Sequence, residues 1–254
     1  MDTMRTRFQG ITNVVRFNWH LYLIAVAFTL SLLILSVYTS KLTSTLCIIA
    51  ASGALIATAI SLIASHYIYD KSHLYDLNFL QTLAINVNST VVNIHAGFDE
   101  TSEIIREKYA LEKLLVFDFY NPGKHTEVSI KRARNAYPAY SGTLQITTSD
   151  IPLPDHSADF IFIIFSAHEI RDDEERIMFF KELKRVLKAN GKCIVTEHLR
   201  NSSNFAAYNI GFLHFLSEKT WSKTFLGTGF LVEHKIKTTP FITTYILIKD
   251  GVAT

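Results

Sequence analysis

Hydrophobic positions fall into two regimes along the chain. From 21 to 38, 18 consecutive residues carry no charge, and from 46 to 64 another 19 carry none. At about 1.5 Å rise per residue, each run folded as a helix comes close to the ~30 Å of hydrocarbon in a bilayer. Trp19, Tyr22, Tyr38, Tyr67 and Tyr69 stand at the edges, where amphipathic rings favour the headgroup layer. One such run reads equally as a buried core helix or a secretory signal. Two runs parted by the short polar loop 39–45, with no small-residue cleavage site followed by polar sequence, predict a transmembrane helical hairpin over 21–66. Within the second run, Ser52, Gly53, Ala54, Ala57 and Ala59 allow close helix approach in lipid, inside the hairpin or between two copies in a homodimer.

A linker-like stretch, 67–88, follows, and from residue 89 the pattern changes to short β-rich runs alternating with helical periods. The runs 90–96, 113–120, 143–148, 158–166, 192–198, 230–237 and 242–249 predict seven strands. Phe160 to Phe165 is apolar without alternation, as in a strand covered on both faces. Next comes a helix with Asp172 to Glu175 in its first turn, Ile177, Phe180, Leu183 and Leu187 at helical spacing, and Lys184, Arg185 and Lys188 at its end. Acids first and bases last complement the helix dipole, and Asn190-Gly191 predicts a left-handed stop. This alternation predicts one α/β domain over 89–254, a doubly wound, seven-stranded Rossmann-like sheet.

Composition sharpens the division. Residues 1–66 hold four basic groups (Arg5, Arg7, Arg16, Lys41) and one acid, Asp2, whereas the rest is nearly neutral. Three arginines before the first run and only Lys41 in the connecting loop place residues 1–20 and the α/β domain in the cytoplasm, in an integral protein of the cytoplasmic membrane. With 48% hydrophobic and 19% charged residues and a net charge of +2, neither a disordered chain nor a nucleic-acid binder is expected. Cys47 and Cys193 make no disulfide framework and are expected as buried thiols in a reducing compartment.

In open α/β sheets ligands sit at the carboxyl ends of the strands, so the first strand-to-helix turn matters most. It reads Asn93-Ile94-His95-Ala96-Gly97-Phe98-Asp99-Glu100, with a single glycine and two acids where a phosphate would need positive potential. That disfavours a dinucleotide and suits a ligand carrying positive charge. Asp118 closes the second strand 21 residues after Gly97, a distance at which an acid accepts hydrogen bonds from ribose hydroxyls, or is simply solvated.

Three further stretches carry a resemblance: Asp150 to Asp159 (DIPLPDHSAD), Ser166-Ala167-His168-Glu169-Ile170, and Phe180 to Gly191 (FKELKRVLKANG) running into Val195-Thr196-Glu197. In this order and spacing the chain, over about 88–250, resembles the class I S-adenosylmethionine-dependent methyltransferases, within them the methyltransferase type 11 group that includes quinone-biosynthesis C-methyltransferases. The resemblance implies S-adenosylmethionine as cofactor. It places Asn93, His95 and Gly97 under the methionine part, Asp118 at the ribose, Phe119 on one face of the adenine, the segment 148–151 with Asp150 and Ile151 at the adenine edge, and Ser166 nearby. The chain departs from the pattern at four points: Asn93 replaces an acid, His95 and Asp99 replace glycines, and Thr147 stands where an adenine-binding acid is expected, with Asp150 as substitute. These departures leave open a methyltransferase-like binding or scaffold domain that takes no cofactor.

Methyl transfer needs orientation and at most one base. His168-Glu169 ends the fourth strand and Glu197-His198 the fifth, neighbours in this fold, so His168, Glu169 and Glu197 are the catalytic candidates, as base or substrate contact. Their spacing matches no compact metal motif, and no metal is expected. The aromatic run from Phe205 to Leu216 is expected as core or as a cover over an apolar small-molecule acceptor. Lys131, Arg132 and Arg134 are expected on a helix, as a solvated face or against anionic lipid.

Overall fold

The computed structural model describes residues 5–125 and 127–251, so the expected segment ends at 1–4 and 252–254 lie outside the described residues. The seven expected strands are all found: β1 Val91–His95, β2 Leu114–Asp118, β3 Leu144–Gln145, β4 Ala158–Ile164, β5 Leu187–His198, β6 Phe230–Lys237 and β7 Ile242–Lys249. They form one sheet in the order β3-β2-β1-β4-β5-β7-β6. All neighbours are parallel except β7, which runs antiparallel to both β5 and β6. This is the Rossmann-like sheet expected. Its order reverses between β1 and β4, where the crevice for a ligand opens at the strand ends.

Burial on both faces follows from β4. Ile161 and Ile163 face one side, packing with Phe179, Phe180, Trp221 and Phe225, whereas Phe160, Phe162 and Ile164 face the other, with Leu77, Leu80 and Ile105. The first layer is built by two helices, α6 Asp173–Val186 and α8 Glu218–Gly227. Asp172 caps α6 by accepting from the Glu175 amide, as the acidic start predicted. Its end differs from expectation. The chain turns extended at Leu187, and Asn190-Gly191 lies within β5, where pairing shifts between Ala158 and Phe160. Gly191 is required by close approach: a Cβ there would meet Leu187 Cδ1 at 2.8 Å and the Asp159 carbonyl at 2.9 Å.

Before the sheet come α1 Gln9–Phe17, α2 Trp19–Tyr38 and α3 Lys41–His66. α2 and α3 are long and apolar enough to cross a membrane, and only 6% and 11% of their most apolar windows are buried. The polar loop expected over 39–45 shrinks to Thr39-Ser40, because 41–45 continue α3, with Thr45 bonding back to the Lys41 carbonyl. Cys47 and Ala51 are buried on the packed face of α3, whereas nothing lies within 4 Å of a Cβ placed on Gly53. The stretch expected as a linker is packed: Ile68, Leu74, Leu77, Leu80 and Leu83 are all buried. α1 is tied to it by Asp70, whose two carboxylate oxygens accept from the Gly10 and Ile11 amides at 2.7 and 3.0 Å. After β1 and β2 come α4 Ser102–Lys108 and α5 Val128–Ala136, and α7 Ser202–Tyr208 follows β5.

Candidate functional site

The β1 turn is held by its own side chains. The Asn93 amide donates to Thr101 and Ser102 at 3.0 and 2.8 Å, and Asp99 Oδ1 accepts the Thr101 and Ser102 amides, both at 2.9 Å. Asp99 thus starts α4 where a glycine was expected. His95, buried to 4% exposure, accepts the Gly97 amide on Nδ1 at 3.2 Å, which leaves the proton on Nε2. Burial chiefly lowers its pKa, so the ring is neutral. Gly97 sits at φ 91, where a side chain would be strained and would strike Arg134 and Tyr120.

Asp118, at the end of β2, is buried and engaged. Its Oδ1 accepts the Tyr120 amide at 2.8 Å, and its Oδ2 pairs with Arg134, which lies over the Gly97 turn with its guanidinium 4.5 Å from the Tyr120 ring centre. The basic stretch of α5 is a solvated face only in part: Lys131 and Arg134 are exposed, but Arg134 also covers Asp118, and Arg132 bonds the Phe17 carbonyl at 2.6 Å, closing the end of α1. Only Lys131 of the three is free of such contacts and exposed.

Beyond Arg134 lies a cavity of about 640 Å³, lined by Phe119, Tyr120, Gln145, Thr147, Thr148 and Ser149 among others. Phe119 reaches it while packed against Phe179 and His125. Asp150 is exposed and outside it. Ile151 is buried, its amide donating to Glu182, and Ser166 bonds the Ile94 carbonyl at 2.9 Å as a brace between β1 and β4. The structure thus gathers Asn93, His95, Gly97, Asp118 and Phe119 along one rim; of the expected 148–151 segment Thr148 and Ser149 line the cavity, whereas Asp150, Ile151 and Ser166 lie off it.

Does this rim suit S-adenosylmethionine? Three buried polar atoms along the β1 turn have no partner: Asn93 Oδ1, His95 Nε2 and Asp99 Oδ2. Two acceptors and one donor along this turn are what the ammonium and carboxylate of a methionine end require. The residues fit the group, with Arg134 on Asp118 as the part that would have to yield.

The second half of the site follows β4. Phe165 takes a left-handed φ of 53°, turning the chain so that the short 3₁₀ turn Ala167–Glu169 presents His168 and Glu169. Glu197, fully buried on β5, fixes His168 twice: Oε1 accepts the His168 amide at 3.2 Å and Oε2 its Nδ1–H at 2.7 Å. The other ring nitrogen lies 3.1 Å from Glu169 Oε1. Burial opposes a charge on this ring, but Glu197 and Glu169 outweigh it and raise its pKa to about 10. Glu169 is likewise penalised by burial, yet His168 and His214 hold its carboxyl well below the usual range. His168, expected as a base, is therefore an imidazolium and a donor.

His214, which the sequence left inside an aromatic run, joins them. Its Nε2 is 3.5 Å from Glu169 Oε1 and its Nδ1 2.5 Å from Glu127 Oε1. His198, expected beside them, faces away: its Nδ1 donates to Asn204 at 3.2 Å and its Nε2 accepts from Tyr69 at 2.9 Å. The cluster opens on a largely apolar cavity of about 540 Å³, to which α2 and α3 contribute Leu21, Tyr22 and Ser61, and the aromatic run Tyr208 and Phe215.

Comparison with known proteins agrees with this architecture. Residues 124–195 match the methyltransferase domain family. No curated protein matches the chain. Among solved structures, a SAM-dependent methyltransferase from Aquifex aeolicus superposes with a TM-score of 0.51 at 19% identity, covering 75% of this chain and 97% of its own. A Haloferax volcanii complex of a methyltransferase-like chain with the Trm112 methyltransferase activator gives 0.52 at 13% identity, covering 70% and 91%. The [4+2]-cyclase SpnF gives 0.51 at 13%, covering 71% and 81%. The sheet and its flanking helices thus have the Rossmann-like fold of the methyltransferases, and SpnF marks that this fold also serves other chemistry.

Proposed function

We propose that the chain is a membrane-anchored S-adenosylmethionine-dependent methyltransferase acting on an apolar or membrane-associated small molecule. The observation that carries the reading is the shared cavity: the same walls bring together His168 and Glu169 from the turn after β4 and Leu21, Tyr22 and Ser61 from the two long apolar helices. Those helices leave most of their apolar surface uncovered, which water does not tolerate at this extent and a bilayer does. With Arg5, Arg7 and Arg16 ahead of the first, both ends of the chain lie in the cytoplasm. The family match and the unpartnered atoms of the β1 turn support S-adenosylmethionine as cofactor.

When bound, that cofactor supplies an electrophilic methyl group on a sulfonium. Asn93 Oδ1, Asp99 Oδ2 and His95 Nε2 would hold its amino-acid end, and Asp118 its ribose once Arg134 swings aside. His95 is neutral and adds no repelling charge. Glu197 fixes the direction of His168, whose imidazolium faces Glu169 at 3.1 Å and keeps it ionised, so that Glu169 accepts a hydrogen bond from a hydroxyl on the acceptor. The apolar walls orient the remainder of the acceptor and exclude water.

Membrane vesicles containing the chain, given tritiated methyl donor and a lipid extract, test the reading. Label should appear in an organic-soluble product and fall at least tenfold in Asp118→Asn. Label no higher than in vesicles lacking the chain would overturn it. The Arg134–Asp118 pair favours one alternative, a domain that keeps the fold and takes no cofactor; it predicts no binding of the donor at any concentration tested.

A further inference from the structure

We propose that His168, Glu169 and His214 form a binding site for a divalent first-row transition metal whose open position faces the apolar cavity. The three ligand atoms lie within 4.8 Å of one another. Glu169 Oε1 is 3.1 Å from His168 Nε2 and 3.5 Å from His214 Nε2. A tetrahedral centre with bonds of about 2.05 Å has ligand-to-ligand edges of about 3.3 Å, between these two separations. Two imidazoles and one carboxylate with a fourth position free is a donor set that suits such a metal.

The surroundings point to a ligand independently of that spacing. A metal-binding histidine characteristically gives its second ring nitrogen to a carboxylate, which fixes the tautomer and turns the lone pair toward the ion. Both histidines do so here: His168 Nδ1 to Glu197 at 2.7 Å, and His214 Nδ1 to Glu127 at 2.5 Å. Their remaining nitrogens converge on Glu169, and the proton that His168 Nε2 carries there leaves when a metal takes the lone pair. A cation already stands by this cluster: one Arg171 guanidinium nitrogen contacts both ring nitrogens of His214, Nδ1 more closely than Nε2 at 2.8 Å. Arg171 has a side chain 42% exposed, so it can leave toward solvent when a metal takes its place.

All three ligands also line the cavity shared with α2 and α3, so a fourth ligand would come from a molecule lying there. The class is an apolar compound with an oxygen donor, such as a hydroxyl or enol. This last step rests on the methyl-transfer reading; the metal site itself does not.

The test uses the full chain in detergent, stripped with a chelator. Zn²⁺ is then titrated in competition with a chromophoric chelator, and Co²⁺ is added separately to read its visible absorption. The expected result is one Zn²⁺ per chain and an intense visible band with Co²⁺. His214→Ala and Glu169→Gln should each weaken Zn²⁺ binding at least a hundredfold, and Glu197→Gln about 10- to 100-fold. Arg171→Ala should tighten it. Circular dichroism melts select the folded variants, and the His214 side chain is partly exposed, so its truncation leaves no large buried cavity. Substoichiometric Zn²⁺ at micromolar free metal, or wild-type affinity in both His214→Ala and Glu169→Gln, would overturn the proposal. Binding of the methyl donor to the metal-free protein is measured in parallel, so failure of one reading is seen apart from the other.

Discussion

Arg134 shows how one side chain decides whether a carboxylate is ready for a ligand. Asp118 is 4% exposed in its side chain and its partner 35%, so the pair is half-wet and worth at most about 1 kcal/mol after solvent screening. Arg134→Ala should therefore tighten binding of the methyl donor roughly two- to fivefold, as read by calorimetry, while barely moving the melting temperature. His198 works differently. Burial chiefly pushes its pKa down to about 3, and its neutral ring is satisfied by Tyr69 and Asn204, with His168 and His214 adding repulsion to any charge. Above pH ~6.5 neither the folded nor the unfolded chain protonates it. Below that the unfolded chain takes a proton the native ring refuses, so stability should fall steadily toward pH ~3, with buried His95 acting in the same direction. Thermal melts between pH 7.5 and 5 check this, and His198→Gln should flatten the slope.

Elements were legible where a pattern was local. The seven strands announce themselves by β-rich runs between turn residues, and the start of α6 by Asp172 and the acids after it. The end of α6 was not, because Gly191 is dictated by approach to Asp159 across the sheet rather than by helix termination. Gly191→Ala should cost about 1 to 3 kcal/mol in chemical denaturation, since the backbone oxygen it meets cannot move aside. The site was half legible. Asn93, Gly97 and Asp118 follow from strand ends, and Arg134 was seen only as one of a basic stretch, but Glu127 just before α5 and His214 in an aromatic run have nothing local to mark them. Only the fold brings His214 to Glu169, 45 residues earlier. The packing of 67–88 was likewise hidden, since Asp70 looks like any polar linker residue until its carboxylate is seen capping α1. Asp70→Ala should release α1, making residues 5–18 sensitive to limited proteolysis and lowering stability by about 1 to 2 kcal/mol.

At the scale of the whole molecule, the long apolar helices and the sheet are one object. α1 and the 67–88 stretch join them, Arg5 pairs with Glu100 at 2.8 Å, and Tyr69 reaches His198 on β5. On the proposed function, a hairpin tied this way to the strand ends would hold the apolar cavity against the bilayer, which connects fold to substrate class. Alkaline extraction should leave the chain in the membrane pellet. The central claim is that this sheet binds S-adenosylmethionine along β1 and β2, and calorimetry on the full chain in lipid nanodiscs tests it most directly. The account predicts saturable binding of one molecule per chain, weakened at least tenfold in Asp118→Asn and abolished in Gly97→Val. Absence of binding heat at millimolar cofactor, from protein that melts cooperatively, would contradict it.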